Sequence, residues 1–211
     1  MSRITFFAAL VVLMGCQSTK TPTLPLITEL PDHSEAYTII WLGTGTAYLY
    51  ESGEYVRMES GDYEFQVTQR RYPNRWISVK DGHWRHPDYD FGNLPRDRTM
   101  YFELAFTPDQ QGVEVDMRTS MGPGSGRSDR QFRAQVFEIE MADISKFAPY
   151  NRMRITQQYL YESGRLEETV ELYKLVDGVE HPYLKMEERA DIYRPTTLDQ
   201  APTVMGGYSG Q

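Results

Sequence analysis

The chain has a single cysteine, Cys16, and only one long apolar run, which lies near its start. An intramolecular disulfide needs two cysteines and structural thiolate metal sites need several, so neither can form within this chain. Basic residues are also in deficit: 22 Lys and Arg stand against 30 Asp and Glu, which gives a formal net charge of −8. Because no basic patch is available to neutralise phosphates, we expect no nucleic-acid partner.

The apolar run, Ile4–Met14, follows Arg3 and ends at Gly15 and Cys16. It is too short to span a bilayer, and a small residue before a cleavage point is typical of a removable export signal. The ending resembles the lipobox of bacterial lipoproteins processed by signal peptidase II. The resemblance implies that residues 1–15 are a lipoprotein signal peptide, that Cys16 is acylated by fatty acids such as palmitate, and that the lipid attaches the protein to a membrane.

Gln17, and not Asp, follows the cysteine. By resemblance to lipoproteins of the Gram-negative type, this implies the outer membrane, with the protein facing the periplasm. Residues 16–35 are rich in Thr, Ser and Pro and predict a flexible tether. We expect a folded domain over residues 36–195 and a disordered tail over residues 196–211, which is rich in glycine.

Within the folded domain, apolar residues recur at every second position, the period of half-buried β-strands. Examples are Tyr63, Phe65 and Val67 on one segment, and Val113 and Met117 on another. About eight to ten such strands are predicted, with almost no helix. Because a barrel closes sheet edges most completely, the pattern predicts an all-β, single antiparallel up-and-down barrel of the lipocalin-like type, with a β-sandwich as the alternative.

Turn signals separate the strands. The hexapeptide Tyr-Leu-Tyr-Glu-Ser-Gly occurs at Tyr48–Gly53 and again at Tyr159–Gly164, and we interpret both copies as hairpin ends with a glycine turn. Glu59–Asp62 predicts a third such turn. The glycine-rich segment Gly122–Arg127 lacks the ending of a phosphate-binding loop and predicts a mobile hairpin connection. Met141–Phe147 is the best candidate for a short helix.

The segment between residues 72 and 91 interleaves aromatic and charged side chains. Such a mixture suits a glycan or another amphipathic ligand, because rings stack and charged groups set orientation. The alternative is a long loop that folds over one barrel end, with Trp76 and Trp84 as core plugs. The candidate ligand-binding residues, including two outside the segment, are Trp41, Arg71, Tyr72, Trp76, Trp84, Arg85, Tyr89 and Phe91.

The sequence contains only weak signals for a metal site or for acid–base catalysis. His83 and His86 are spaced as HxxH, but that spacing does not place both imidazoles on one side of a strand or loop, so we expect no metal site. Glu167 with Glu168, and likewise Glu187 with its neighbour Glu188, point to opposite faces of a strand. Adjacent carboxylates therefore cannot act together on one substrate, and we find no catalytic constellation.

The first strand contains Trp41-Leu42-Gly43-Thr44-Gly45, which is similar to the opening of nitrobindin-like proteins, a family of ten-stranded calycin barrels that hold haem. The resemblance implies a barrel, and it would make His181, in His181-Pro182-Tyr183-Leu184, the iron ligand. From the residues alone, Gly43 and Gly45 relieve crowding where a bent first strand meets its neighbours, and His181 is a turn residue.

These observations predict a lipid-anchored envelope protein whose barrel binds a small hydrophobic, amphipathic or glycan ligand without catalysis. The alternative is a structural or assembly lipoprotein that docks an envelope protein through the barrel rim. A haem-binding barrel is a weaker alternative, and an enzyme with residues from distant strands is weaker still. An internal cavity favours the ligand binder, whereas an exposed cluster of aromatic side chains favours docking.

Overall fold

The structure, a computed structural model, describes residues 36–89, 95–143 and 149–193. These residues include no helix, and hence none that is long and apolar enough to cross a membrane. They form ten strands: β1 (Tyr37–Glu51), β2 (Glu54–Tyr72), β3 (Arg75–Trp84), β4 (Asp97–Pro108), β5 (Val113–Thr119), β6 (Pro123–Ser128), β7 (Ala134–Glu140), β8 (Tyr150–Leu160), β9 (Arg165–Val176) and β10 (Val179–Ile192).

Each strand pairs antiparallel with the strands before and after it, and β1 also pairs with β10, so the sheet closes into a barrel. The up-and-down barrel predicted from the sequence is therefore confirmed, and the β-sandwich alternative is wrong. The predicted signal peptide (residues 1–15), with Cys16, and the predicted tether and tail lie outside the described residues.

The inward face of the barrel follows the predicted alternation. Tyr63, Phe65, Val115, Ile139 and Ile155 are all buried, and each is separated from the next inward residue by one outward residue. A strand whose side chains alternate in this way can bury one face and leave the other in water. Residues from all ten strands thus line the interior.

Two ends of the barrel differ. At the packed end, where β1 begins and β10 ends, aromatic rings fill the interior: Trp76 lies 4.8 Å from Phe106 and 5.3 Å from Phe132 between ring centroids. At the open end, where β3 ends at Trp84 and β8 begins at Tyr150, the interior is hollow. Among the described residues, the two ends thus differ in packing, and the open end contains a cavity.

Two segments that the sequence suggested were loops are strands. Arg75–Trp84 is β3, so the long-loop interpretation of this region is wrong, although Trp76 and Trp84 are core residues as that interpretation required. Pro123–Ser128 is β6 and pairs with both β5 and β7, so the expected mobile connection is also wrong. Its glycines are needed because a Cβ at Gly126 would lie 2.2 Å from the carbonyl oxygen of Val136.

The hairpin ends at both copies of the repeated hexapeptide are confirmed. Gly53 has φ +98° and Gly164 has φ +67°, values that favour glycine. The third expected turn is wrong, because β2 continues through Glu59–Asp62. At this point a β-bulge shifts the register between β1 and β2, and the shift lies between Thr46 and Tyr48 of β1. Of the expected helix Met141–Phe147, the described part is not helical and the rest lies outside the described residues.

Gly43 and Gly45 on β1 relieve crowding, as predicted. A Cβ at Gly43 would lie 2.4 Å from Cζ of Phe65, and a Cβ at Gly45 would lie 2.2 Å from Cζ of Tyr63. Both distances are far inside van der Waals contact. The two glycines therefore leave room for the rings of Phe65 and Tyr63 on β2.

Candidate functional site

A cavity of about 290 Å³ opens at the hollow end of the barrel. Its walls are mainly apolar and include five of the ten methionines in the chain. Thioether side chains are flexible and polarisable, so such walls adapt to different apolar shapes. The methionines that line the cavity are Met100, Met121, Met141, Met153 and Met186.

The floor of the cavity is charged. Nζ of Lys80 donates a hydrogen bond to Oε1 of Glu168 at 2.9 Å and another to Oε2 of Glu188. The hydroxyl of Tyr63 donates to Oε1 of Glu188 at 2.5 Å, and Nε2 of Gln157 donates to Oε2 of Glu168. We call Lys80, Glu168 and Glu188 the buried ion cluster; their side chains are 9%, 8% and 3% exposed.

The topology of the sheet brings these groups together. Glu168 on β9 and Glu188 on β10 are direct cross-strand partners, so their side chains lie next to each other on the inward face. Lys80 comes from β3 and extends across the interior, where its ammonium also lies 4.6 Å from the ring centroid of Phe65. Closure of the barrel is what places a β3 side chain against β9 and β10.

Burial and charge shift the pKa values of the cluster. Burial raises the pKa of Glu188 to about 7, because Lys80 offsets only part of the desolvation and the Glu168 charge opposes ionisation. Burial also opposes ionisation of Glu168, but Lys80 and hydrogen bonds from Glu188 and Gln157 hold its pKa below the ordinary value. At neutral pH, therefore, the carboxyl group of Glu168 is ionised, whereas that of Glu188 titrates.

The two donors of the cluster keep their protons. Burial by itself lowers the pKa of Lys80, but the two carboxylates outweigh that effect and hold the pKa above its ordinary value. Burial raises the pKa of Tyr63 well above its ordinary value, and the nearby charge of Glu188 raises it further. The cluster is thus an ammonium and a phenol facing two carboxyl groups, in a region shielded from water.

Aromatic and charged residues frame the mouth of the cavity. The rings of Tyr63 and Trp84 stack with centroids 4.2 Å apart, and the guanidinium of Arg98 lies 4.0 Å from the Trp84 ring centroid. Arg98 also donates hydrogen bonds to the carbonyl of Pro95 and to the hydroxyl of Tyr89. The hydroxyl of Tyr89 in turn donates to the same carbonyl at 3.0 Å. These contacts hold a rigid rim on the β3–β4 side.

The sequence-predicted ligand residues divide between the two ends. Trp84 lines the cavity, and Tyr89 packs beside it at the rim with ring centroids 5.9 Å apart. Trp41 and Trp76, in contrast, are buried towards the packed end. Trp41 lines only a narrow void of about 50 Å³ beyond the ion cluster, which has room for one or two water molecules.

Arg71 lies in the packed end with 1% of its surface exposed. Its guanidinium lies 3.8 Å from the Trp76 ring centroid and 5.0 Å from that of Tyr159, and its Nε donates to Gln69 at 2.7 Å. Nη1 and Nη2 have no hydrogen-bond acceptor among the described residues. Arg71 is therefore part of the packing of that end and does not reach the open-end cavity.

Two further sequence-predicted residues, Tyr72 and Arg85, lie away from the open-end cavity. Tyr72 is half-buried at the end of β2, next to the packed end. Arg85 is exposed and forms an ion pair with Glu64 at 2.6 Å. Phe91 lies outside the described residues. Neither Tyr72 nor Arg85 is among the described residues that line the open-end cavity.

The histidines do not converge. Nδ1 of His83 forms a hydrogen bond with Asp97, whereas Nδ1 of His86 accepts one from the backbone N–H of Asp88 at 3.1 Å. No group of three potential ligands for a metal ion occurs within residues 36–89, 95–143 and 149–193. His181 is exposed on β10 and is not among the described residues that line the cavity.

The buried ion cluster is the feature that the sequence interpretation missed. Adjacent carboxylates do point to opposite faces, as predicted: Glu167 and Glu187 are exposed, whereas Glu168 and Glu188 are inward. A signal was present, because Glu188 stands at an inward position between Met186 and Ala190. A charged residue that shares the parity of buried neighbours indicates an interior polar contact.

Comparisons with known proteins yield a structural match but no match to a family model or a curated sequence. No protein-family model matches the chain, and no curated protein sequence is similar to it. Among solved structures, the chain is similar to the crystal structure of the ywiB protein from Bacillus subtilis, with 8% sequence identity and a TM-score of 0.29. That match covers 74% of this chain and 93% of the other. The class of protein that fold and cavity define is a closed ten-stranded antiparallel barrel with a polar-floored interior.

Proposed function

We propose that this protein is a lipid-anchored protein of the bacterial outer membrane, facing the periplasm, whose barrel binds a small amphipathic ligand and carries out no chemistry on it. The observation that carries the proposal is the open-end cavity, which combines apolar walls with a few converging polar groups on its floor. Concave sites of this composition are the usual form of small-molecule sites, since the walls supply affinity and the polar groups set orientation.

The cavity favours ligand binding over docking of a partner protein. A docking role predicts an exposed cluster of aromatic side chains, but among the described residues Tyr101 is the only large aromatic that is clearly exposed. The other exposed large hydrophobics are aliphatic: Val56, Val136, Leu175, Val176 and Val179. The proposal does not include haem, because His181 is exposed and is not among the residues that line the cavity.

Native mass spectrometry of the full chain, purified in mild detergent from its own envelope, tests ligand binding. We expect a co-purifying mass that disappears in the variant Met153→Trp, because an indole at this inward position fills the cavity. The matched control is Arg154→Trp, which places the same indole on the outer face of β8. Loss of the mass from both variants, or a wild-type chain that carries no ligand, would count against the proposal.

The lipid anchor has a separate test. Metabolic labelling with palmitate should mark the wild-type chain, and the variant Cys16→Ser should lose both the label and its sedimentation with membranes. Ser18→Ala, two residues further on, is the control and should keep both. The proposal rests here on the lipobox resemblance, so an unlabelled wild-type chain would refute the anchor without affecting the cavity.

A further inference from the structure

The floor of the open-end cavity holds more carboxyl groups than ammonium groups. Two carboxyl groups, Glu168 and Glu188, share the single ammonium of Lys80. All three side chains are more than nine-tenths buried, with exposed fractions of 3% to 9%. Charges shielded from water are stable only when they are paired, and Lys80 can neutralise only one carboxylate.

The other charged residues of the cavity leave this imbalance in place. Arg98 lines the cavity at its mouth, but its guanidinium lies over the Trp84 ring and donates to Tyr89 and Pro95. Asp97, also at the mouth, carries the opposite charge. The mouth therefore contributes one positive and one negative group, and the excess carboxyl group remains at the floor.

We propose that the cavity takes a cationic amphiphile, whose ammonium group lies against Glu168 and Glu188 while its apolar body runs along the methionines towards the mouth. This inference rests on the proposed function and names the ligand class of the same site. When both carboxyl groups are ionised, a protonated amine supplies the second positive charge, and its N–H groups can donate to the carboxylate oxygens of Glu168 and Glu188.

Size and shape agree with a short-chain ligand. A volume of about 290 Å³ is equivalent to roughly ten water molecules at about 30 Å³ each, which is the bulk of a small amphiphile. An anionic head group would instead bring a third negative charge to two carboxyl groups. A neutral alcohol would leave the second carboxylate unpaired.

Three eight-carbon probes with different head groups test the inference: octylamine, octan-1-ol and octanoate. Isothermal titration of the full chain in detergent at pH 8, where Glu188 is mostly ionised, should show octylamine binding at least about tenfold more tightly than octan-1-ol, which corresponds to about 1.4 kcal/mol. Octanoate should bind most weakly. Quenching of tryptophan fluorescence gives a second readout, because Trp84 lines the cavity.

Matched variants locate the effect. Glu188→Gln and Glu168→Gln should each reduce the preference for octylamine over octan-1-ol several-fold. Glu187→Gln and Glu167→Gln, one residue away on the outward faces, should keep it. Near-ultraviolet circular dichroism checks that each variant is folded. The wild-type probe series remains decisive if an inward variant does not fold.

The outcomes separate the inference from the proposed function. Equal binding of all three probes, or tighter binding of octanoate, overturns the inference and leaves ligand binding intact. An octylamine preference that survives in both inward variants also overturns it, because the amine would then lie elsewhere. If no probe binds and no ligand co-purifies, the proposed function fails together with the inference.

Discussion

Glu168 and Glu188 lie directly opposite each other on β9 and β10, and both accept hydrogen bonds from the ammonium of Lys80 on β3. Two carboxyl groups so close together cannot both ionise freely in a buried site. The protonation state of this carboxyl pair therefore couples the stability of the barrel to pH. It also couples stability to the charge of any ligand that enters the cavity.

Removing Lys80 should strongly destabilise the barrel. The variant Lys80→Met leaves two buried carboxyl groups without a counter-charge, and breaking a buried pair in this way costs about 3–5 kcal/mol. The free energy of unfolding in urea at pH 7 measures the loss. Adding Glu168→Gln and Glu188→Gln to Lys80→Met should recover part of it. Lys185→Met, a half-buried lysine of β10 paired with Glu187, should change stability by less than about 1 kcal/mol.

The pH dependence of stability should carry the signature of Glu188. Because its pKa rises from 4.5 in the unfolded chain to about 7 in the barrel, its contribution is fully present below about pH 4.5 and is lost as the pH rises through 7. We expect the unfolding free energy of the wild type to fall by about 1–3 kcal/mol between pH 5 and pH 8 relative to Glu188→Gln.

Other groups that face Glu188 do not produce this change. Lys80 and Tyr63 have raised pKa values and keep their protons throughout that range. Glu168 acts in the opposite sense: its lowered pKa gives stability that is lost only as the pH falls below about 4.5. Parallel pH profiles for the wild type and Glu188→Gln would show that Glu188 does not titrate in this window.

An added methyl group at Gly45 should disturb the site as well as the strand. In Gly45→Ala the new Cβ would lie 2.2 Å from Cζ of Tyr63, the residue that donates to Glu188. Overpacking of this kind costs about 1–3 kcal/mol, and we expect thermal unfolding at a lower temperature. Thr44→Ala, on the outward face of β1, is the control. A Gly45→Ala variant as stable as Thr44→Ala would mean that the Tyr63 ring moves without cost.

Arg71 should stabilise the barrel through the stacking of its planar guanidinium and not through its charge. The variant Arg71→Lys keeps a buried positive charge but loses the stacking over Trp76, a contact worth about 2 kcal/mol when it is desolvated. Arg71→Met removes a charge whose Nη1 and Nη2 have no acceptor among the described residues. Chemical denaturation should therefore find Arg71→Lys less stable than Arg71→Met, and the reverse order would show that the charge itself has a partner.

Much of the fold could be predicted from the amino-acid sequence, because strand periodicity is a local property. Side chains such as Tyr63 and Phe65 alternate with polar neighbours whatever the tertiary arrangement, and Gly53 and Gly164 have positive φ because of the hairpins in which they lie. The sequence was less informative where a segment lacks apolar side chains. Pro123–Ser128 is a strand only because β5 and β7 pair with its backbone on both sides.

The site was decided by tertiary structure. Periodicity assigns Glu168 and Glu188 to inward faces and their neighbours Glu167 and Glu187 to outward faces, but it cannot say which inward residues meet. Register between β9 and β10 brings the two carboxyl groups together, and closure of the sheet brings Lys80 to them from β3. The sequence thus determined which side chains lie inside, since that depends on alternation along one strand. Only the closed barrel decided which of them are in contact, since that depends on pairings between strands far apart in the chain.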